Sequence, residues 1–259
     1  MTRDPEALVG RQAAGDIDHD TALRLIAKGD IAVEGRLVAA SNATLYCTVT
    51  LADEAADGAT LSGTAIYKPV RGEAPLWDFP DGTLAGRERA AFLVSEASGW
   101  DIVPPTVLRD GPFGPGMVQL WVDADESIDP VALVNDADPR LRRIALFDAI
   151  VNNADRKVGH LLPRPDGLVQ GVDHGVTFHP EPKLRTVLWA WRGKPITTDE
   201  ATVVARLRDA MTGDLERELL EHLTATEVRL ARGRADRLLE KGRFPEPDPD
   251  RPAIPWPPY

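Results

Sequence analysis

The stretch ALFDAIVNNADRKVGHLLPRPDGLVQGVDHGVTFH, residues 145–179, decides how the rest of the chain is read. It holds three of the chain's five histidines and two adjacent asparagines, threaded with aspartates between short apolar runs. Polar groups set among core-forming segments need partners or they cost stability, so a constellation of this kind points to a site. PRLRRIALFDAIVNNA (139–154) has a helical stripe of Ile144, Leu146, Phe147 and Ile150, and Asp155 follows its end. HLLPRPDGLVQGVDHG (160–175) reads as a hairpin turning at PDG. That turn sets His160 and Asp173 side by side on neighbouring strands, with Asp155 facing both from the preceding loop. Phosphoryl transfer needs one carboxylate to orient the attacking hydroxyl and two ligands to hold a divalent cation on the phosphates. Asp155 is the candidate base, and Asp173 and His160 are the candidate metal ligands. Lys157 suits neutralising the transferred phosphoryl group. The plainer readings are turn caps for the two aspartates and a hydrogen-bonded core histidine for His160. Asn152 and Asn153 read as caps of the helix C-terminus, and His174 and His179 as loop-shaping or solvent-facing residues.

Working upstream, LSGTAIYKPV (61–70) reads as a strand carrying Lys68, and LAGRERAAFLVSEA (84–97) as a helix carrying Glu88 early, with Ala91, Val94 and Ala97 inward. A strand lysine paired with a helix glutamate is how kinase-like folds hold the α- and β-phosphates, with Glu73 as a competitor for the Glu88 role. Two further strands, IAVEGRLV and ATLYCTVTL, flank the connection AASN (39–42). Ser41 and Asn42 in that connection are candidates for covering phosphates through backbone amides, although it lacks glycines. MVQLWV (117–122) is the candidate strand joining the two halves, with Gln119 and Trp121 where backbone groups can meet adenine. TALRLIAKGD is a short helix with Leu23, Ile26 and Ala27 on one face, ended by Gly29. TTDEATVVARLRDAM starts with a capping box, Thr197 to Glu200, and DLERELLEHLTATEVRLARGRADRLLEKG continues the helical pattern to Gly242. The resulting expectation is an α+β chain: a flexible N-terminus (1–20), a strand-rich segment with one helix (21–122), a mainly helical segment (123–243) and a Pro-rich tail (244–259) extended over the surface.

Composition narrows the partners. The 259 residues carry a net charge of −11, with 43% hydrophobic and 27% charged residues, enough for a sizeable core. An acidic chain is a poor candidate for nucleic acid or an anionic membrane surface. No apolar run approaches the ~18 residues that span a bilayer, and the N-terminus lacks an apolar signal core, so the expected location is the cytoplasm. The single cysteine, Cys47, reads as a small core residue. Arg71, Lys183 and Arg185 form a candidate basic rim for an anionic substrate, with a solvated surface as the alternative.

The segments YKPVRGEAPLWDFPDGTLAGRE (67–88), GWDIVPPTVLRDGPFGPGMVQLWV (99–122), NNADRKVGHLL (152–162) and GVDHGVTFHPEPKLRTVLW (171–189) resemble an uncharacterised actinobacterial family grouped with phosphoinositide 3- and 4-kinase-like proteins, and more distantly with HipA-like kinases. The resemblance covers roughly residues 30–259. It implies a two-lobed, protein-kinase-like fold, a strand-rich N-lobe and a mainly helical C-lobe, with ATP and Mg²⁺ between the lobes. It further implies that Lys68 binds phosphates, Asp155 is catalytic and Asp173 ligates metal. Two departures stand out. His160 occupies the position of the usual Asn ligand, which favours Mn²⁺ and softer cations over Mg²⁺, and DHG replaces DFG.

The expected function is an ATP-dependent phosphotransferase acting on an unidentified hydroxyl acceptor: a small molecule, a lipid headgroup or a protein. The alternatives are a nucleotide-binding pseudokinase, an AMP-transferring regulator, or a transition-metal hydrolase built from Asp155, His160, Asp173, His174 and His179.

Overall fold

The computed structural model describes residues 17–37, 42–52 and 60–259. The fold is α+β, and the chain divides into two compact units. One runs up to Ala74 and resumes at Pro105–Asp123; the other comprises Pro75–Pro104 and Ala124–Tyr259.

The first unit is an antiparallel five-stranded sheet in the order β1-β2-β3-β5-β4, formed by β1 (Asp30–Arg36), β2 (Leu45–Ala52), β3 (Thr60–Pro69), β4 (Thr106–Gly111) and β5 (Gly114–Leu120). β2 alternates buried and half-buried positions as a half-covered strand should. Helix α1 (His19–Lys28) lies on the sheet, with the Asp18 side chain accepting from the Thr21 N–H as N-cap. Its buried positions are Ala22, Leu25 and Ile26, packed with Cys47, Val49, Ala65, Tyr67 and Val118. The expected stripe of Leu23, Ile26 and Ala27 is therefore rotated: Leu23 is half-buried and Ala27 exposed. Leu25 sets the phase, because Gly63 leaves room for it; a Cβ there would stand 2.8 Å from Leu25 Cδ2.

The second unit contains α2 (Leu84–Ser98), α3 (Pro130–Asn135), α4 (Arg142–Val151), a two-stranded hairpin β6 (Leu161–Pro163) and β7 (Val169–Gly171), and α5 (Thr198–Ala210), α6 (Asp214–Leu220) and α7 (Ala225–Lys241). Although its sequence lies between strands of the sheet, α2 groups with this helical unit, because it packs against α5 and α6. Eleven of its fifteen residues are buried, among them Arg87 and Glu88, so it is a core helix rather than a surface one. The Arg87 guanidinium is satisfied by Glu227 at 2.6 Å and the Thr177 carbonyl at 2.7 Å.

The helical pattern expected to run from Asp214 to Gly242 is broken in two. Thr224 opens α7 with its own capping box: its hydroxyl accepts from the Glu227 N–H, and its N–H donates to Glu227 Oε2 at 2.8 Å. The Pro-rich tail runs largely exposed over the surface and is anchored at several points. Phe244 is buried, the Ala253 carbonyl accepts from Thr186 N–H and Trp189 Nε1, and the Pro258 carbonyl accepts from Val158 N–H. Among the described residues no helix is long and apolar enough to cross a membrane.

Candidate functional site

The loop after α4 is held by a buried polar hub. The α4 stripe of Ile144, Leu146, Phe147 and Ile150 is fully buried, and Asp148 is buried with it. Asn152, in the left-handed conformation (φ 56°), ends the helix. Asp148 then receives the chain twice on its way past. Its Oδ1 accepts from Asn153 Nδ2 at 3.0 Å and from Arg156 Nη2 at 2.9 Å, and its Oδ2 accepts from Arg156 Nε at 2.9 Å. The Asn153 Oδ1 in turn accepts the Asp155 N–H at 2.9 Å. Both neighbours of Ala154–Asp155 are thus tied to one carboxylate.

Arg156 carries the connection onward. Its Nη1 donates to the Val172 carbonyl at 3.1 Å, and its Nη2 lies 2.6 Å from His174 Nε2. Arginine has only donors, so His174 Nε2 accepts and the histidine proton resides on Nδ1. The His174 N–H donates to Glu88 Oε2 at 2.8 Å. His174 thereby links α2 to the Asp148 hub, and its buried ring packs edge-on to Phe147. His179 bridges two loops: its Nδ1 accepts from the Glu181 N–H in its own loop, so its Nε2 donates to the Asp78 carbonyl in the loop before α2.

Asp155 pairs with Lys157 Nζ at 3.0 Å. Burial raises its carboxyl pKa above the usual value, Lys157 opposes that shift, and the nearby negative charge of Asp173 adds to it. The short hairpin pairs Leu161 with Gly171, and the Val172 N–H donates to the His160 carbonyl at 3.0 Å. His160 Nε2 and Asp173 Oδ2 consequently face each other at 3.5 Å. Asp173 itself adopts φ 62°, a left-handed conformation that Asp tolerates better than most residues. Among the described residues no group of three or more His, Cys, Asp or Glu side chains is placed to hold a metal by itself.

The remaining expected contacts lie in the sheet unit. Lys68 is half-buried on β3 opposite Met117. Gln119 is buried, its backbone is registered between Ile66 and Thr106, and its amide donates to Thr106 Oγ1 at 2.8 Å. The Trp121 indole donates to Asp123 at 3.0 Å, and its ring meets Tyr46 edge-on. Asn42 Oδ1 accepts the Ala74 N–H at 2.8 Å, and Ser41 lies outside the described residues. Arg71 stacks on Phe113 in this unit, whereas Lys183 and Arg185 belong to the second unit.

Asp155 and Lys157 also stand on the wall of a cavity of about 1530 Å³ formed wholly by residues of the second unit. Lys183 and Arg185 line it too, together with Arg234, Arg237 and Lys241 of α7. Those three were not singled out from the sequence, since an i, i+3, i+7 set of basic residues on an amphipathic helix reads as a solvated face. Asp148 and Arg156 were also passed over. Asp148 falls inside an apolar helical stripe and Arg156 directly after the candidate base; only the fold shows that they meet.

No family model matches the chain. Protein Rv2133c of Mycobacterium tuberculosis is 45% identical over an alignment of 270 positions that covers 91% of this chain and 94% of that protein. A crystal structure of the Helicobacter pylori proinflammatory kinase CtkA superposes with a TM-score of 0.44 and 12% identity, covering 81% of this chain and 97% of that one. A superposition that loose carries no weight for fold or for activity.

Proposed function

We propose that this chain, which belongs to the family of the mycobacterial protein Rv2133c, is an ATP-dependent phosphotransferase whose base is Asp155. The observation that supports the reading most is the partly buried carboxylate of Asp155, held on both sides by the Asp148 hub and sensing the charge of Asp173 beyond the hairpin. In the proposed step the acceptor hydroxyl oxygen bonds to the γ-phosphorus of ATP. The bond from that phosphorus to the β,γ-bridging oxygen breaks, ADP leaves, and the hydroxyl proton passes to Asp155. A carboxyl pKa raised by burial brings Asp155 closer to working pH, as a general base requires. Lys157, 3.0 Å from Asp155, balances charge on the transferred group.

Asp173 and His160 would hold Mg²⁺ or Mn²⁺ together with nucleotide oxygens, and the cation would supply charge neutralisation on the phosphates. Glu88 acts through the backbone of His174, next to Asp173, as a positioning residue. In the sheet unit Lys68 has the chemistry to bind phosphate. The test is transfer from γ-labelled ATP, with nucleotide-induced thermal stabilisation measured alongside. Stabilisation by ATP with Mg²⁺ or Mn²⁺, and label transfer lost in Asp155→Ala, are the expected results. Absence of any stabilisation by nucleotide in either metal would remove the reading.

One observation favours a second reading. The 3.5 Å contact between His160 and Asp173 already engages the carboxylate proposed to bind metal. A nucleotide-binding pseudokinase, or an enzyme that transfers AMP instead of phosphate, is consistent with that. Label from α-labelled but not γ-labelled ATP in the product marks AMP transfer, and nucleotide binding without either product marks the pseudokinase.

A further inference from the structure

The Pro-rich segment after α7 takes no part in the proposed chemistry, yet it lies against the loop that carries it. It starts from a fixed root. Phe244 is buried, its N–H donates to the Lys194 carbonyl at 3.0 Å, and the centre of its ring lies 4.8 Å from the Arg142 guanidinium carbon. Beyond that root the hold changes in kind. Of residues 245–259 only Pro255 is buried. Seven of those fifteen residues are prolines. Proline carries no N–H, so the segment asks for few hydrogen-bond partners and stays extended whether docked or not. Two backbone latches fasten it. The Ala253 carbonyl accepts from Thr186 N–H at 3.0 Å and from Trp189 Nε1 at 2.8 Å, and the Pro258 carbonyl accepts from Val158 N–H at 2.9 Å. Arg251 adds an exposed ion pair with Glu181 at 3.3 Å, which contributes little.

Both latches close onto the Asp155 loop. Val158 opens the short turn Val158–His160 that follows Lys157. Thr186 pairs with Arg156 in a parallel bridge: the Arg156 N–H donates to the Arg185 carbonyl and the Val187 N–H to the Arg156 carbonyl, each at 3.1 Å. Between root and latches, Pro245, Glu246, Asp248, Arg251, Pro252 and Trp256 line the cavity that Asp155 and Lys157 also line. All of these but Pro245 are exposed as well, and a residue that faces both cavity and solvent belongs to the outer wall. Opposite charges favour this docked position, because Glu246 and Asp248 share the cavity with Arg234, Arg237 and Lys241 of α7. The Asp148 hub holds the Asp155 loop through Asn153 and Arg156, so the segment can leave while the loop stays in place.

We propose that residues 245–259 are a strap that gates the cavity beside Asp155. Latched at Ala253 and Pro258, the strap walls part of the cavity from solvent; swinging on the Phe244 root, it opens the way in. Three hydrogen bonds and one buried proline hold it, so opening is a local event that leaves the packed helices intact. The regulatory meaning of the gate rests on the reading of Asp155 as the base; the gate itself does not.

The experiment reads the gate on the full chain without nucleotide. Amide hydrogen exchange at Val158 and Thr186, measured by NMR, reports the latches. Acylation of Lys157 by acetic anhydride, located by peptide mass spectrometry, reports access to the cavity, with the exposed Lys28 of α1 as internal reference. Trp189→Phe/Arg251→Ala removes one latch donor and the ion pair. Pro255→Gly removes the buried proline ring and loosens the backbone. In both variants exchange at Val158 and Thr186 is expected to quicken roughly tenfold or more. Lys157 labelling relative to Lys28 rises with it, while the α4 amides exchange as in the parent. Unchanged exchange at both amides, or faster exchange with no rise in Lys157 labelling, would overturn the gate. Faster exchange that spreads to α4 would overturn it too, by showing that the segment is part of the core. Neither readout uses ATP, so a gate that opens in a protein that ATP does not stabilise counts against the phosphotransferase reading and leaves the strap standing. Transfer that is present in the parent and no faster in the opened variants would remove the regulatory meaning.

Discussion

Asp148 and Arg156 meet through two charge-assisted hydrogen bonds of 2.9 Å, and neither side chain has any exposed surface. A buried pair of this kind contributes little net stability against an apolar replacement, but losing one partner strands the other charge. Asp148→Ala is expected to destabilise the protein by about 3–5 kcal/mol, read from denaturant unfolding. A loss under 1 kcal/mol would mean that the pair does not hold the Asp155 loop.

Asp155→Asn separates activity from stability. Burial raises the carboxyl pKa, so the folded protein keeps this proton to higher pH than the unfolded chain does. Ionising it as pH rises through that window costs stability, and the amide escapes the cost. Phosphoryl transfer should fall roughly 10²–10⁴-fold while the melting temperature at pH 7 stays equal or rises. Unimpaired transfer would assign the base elsewhere.

His160→Asn tests the proposed metal role of this histidine. An amide oxygen suits Mg²⁺ where imidazole suits Mn²⁺. The ratio of Mg²⁺- to Mn²⁺-supported transfer is expected to rise about tenfold, measured side by side at saturating nucleotide. An unchanged ratio would leave His160 as a partner of Asp173 and no more.

Thr224→Ala removes the cap that starts α7. The cost should be about 1 kcal/mol by thermal or denaturant unfolding, and Thr224→Ser should restore most of it. An effect no larger than that of an exposed Thr202→Ala control would show that the second capping box does not set the helix start.

Much of the local structure was legible because it is written in short-range pattern. The antiparallel strands, the α4 stripe, the Thr197 capping box and the PDG hairpin all follow from residue spacing and turn chemistry, and they appear where those rules put them. The failures share a cause as well. The phase of α1 was set by the space over Gly63 in a distant strand, and the break before Thr224 was hidden inside a continuous helical period.

By itself the sequence determined most of the strands, the α4 stripe and the Thr197 helix start, and that His160 and Asp173 flank one hairpin, because these depend on interactions within a few residues; it did not show α3 or the break between α6 and α7. Only the tertiary structure decided that Asp148 and Arg156 clamp the Asp155 loop, that α2 joins the helical unit, and that the basic side of α7 lines a cavity rather than solvent. Those outcomes depend on which apolar faces pack together across long stretches of chain, and a one-dimensional pattern shows that a face exists without showing what meets it.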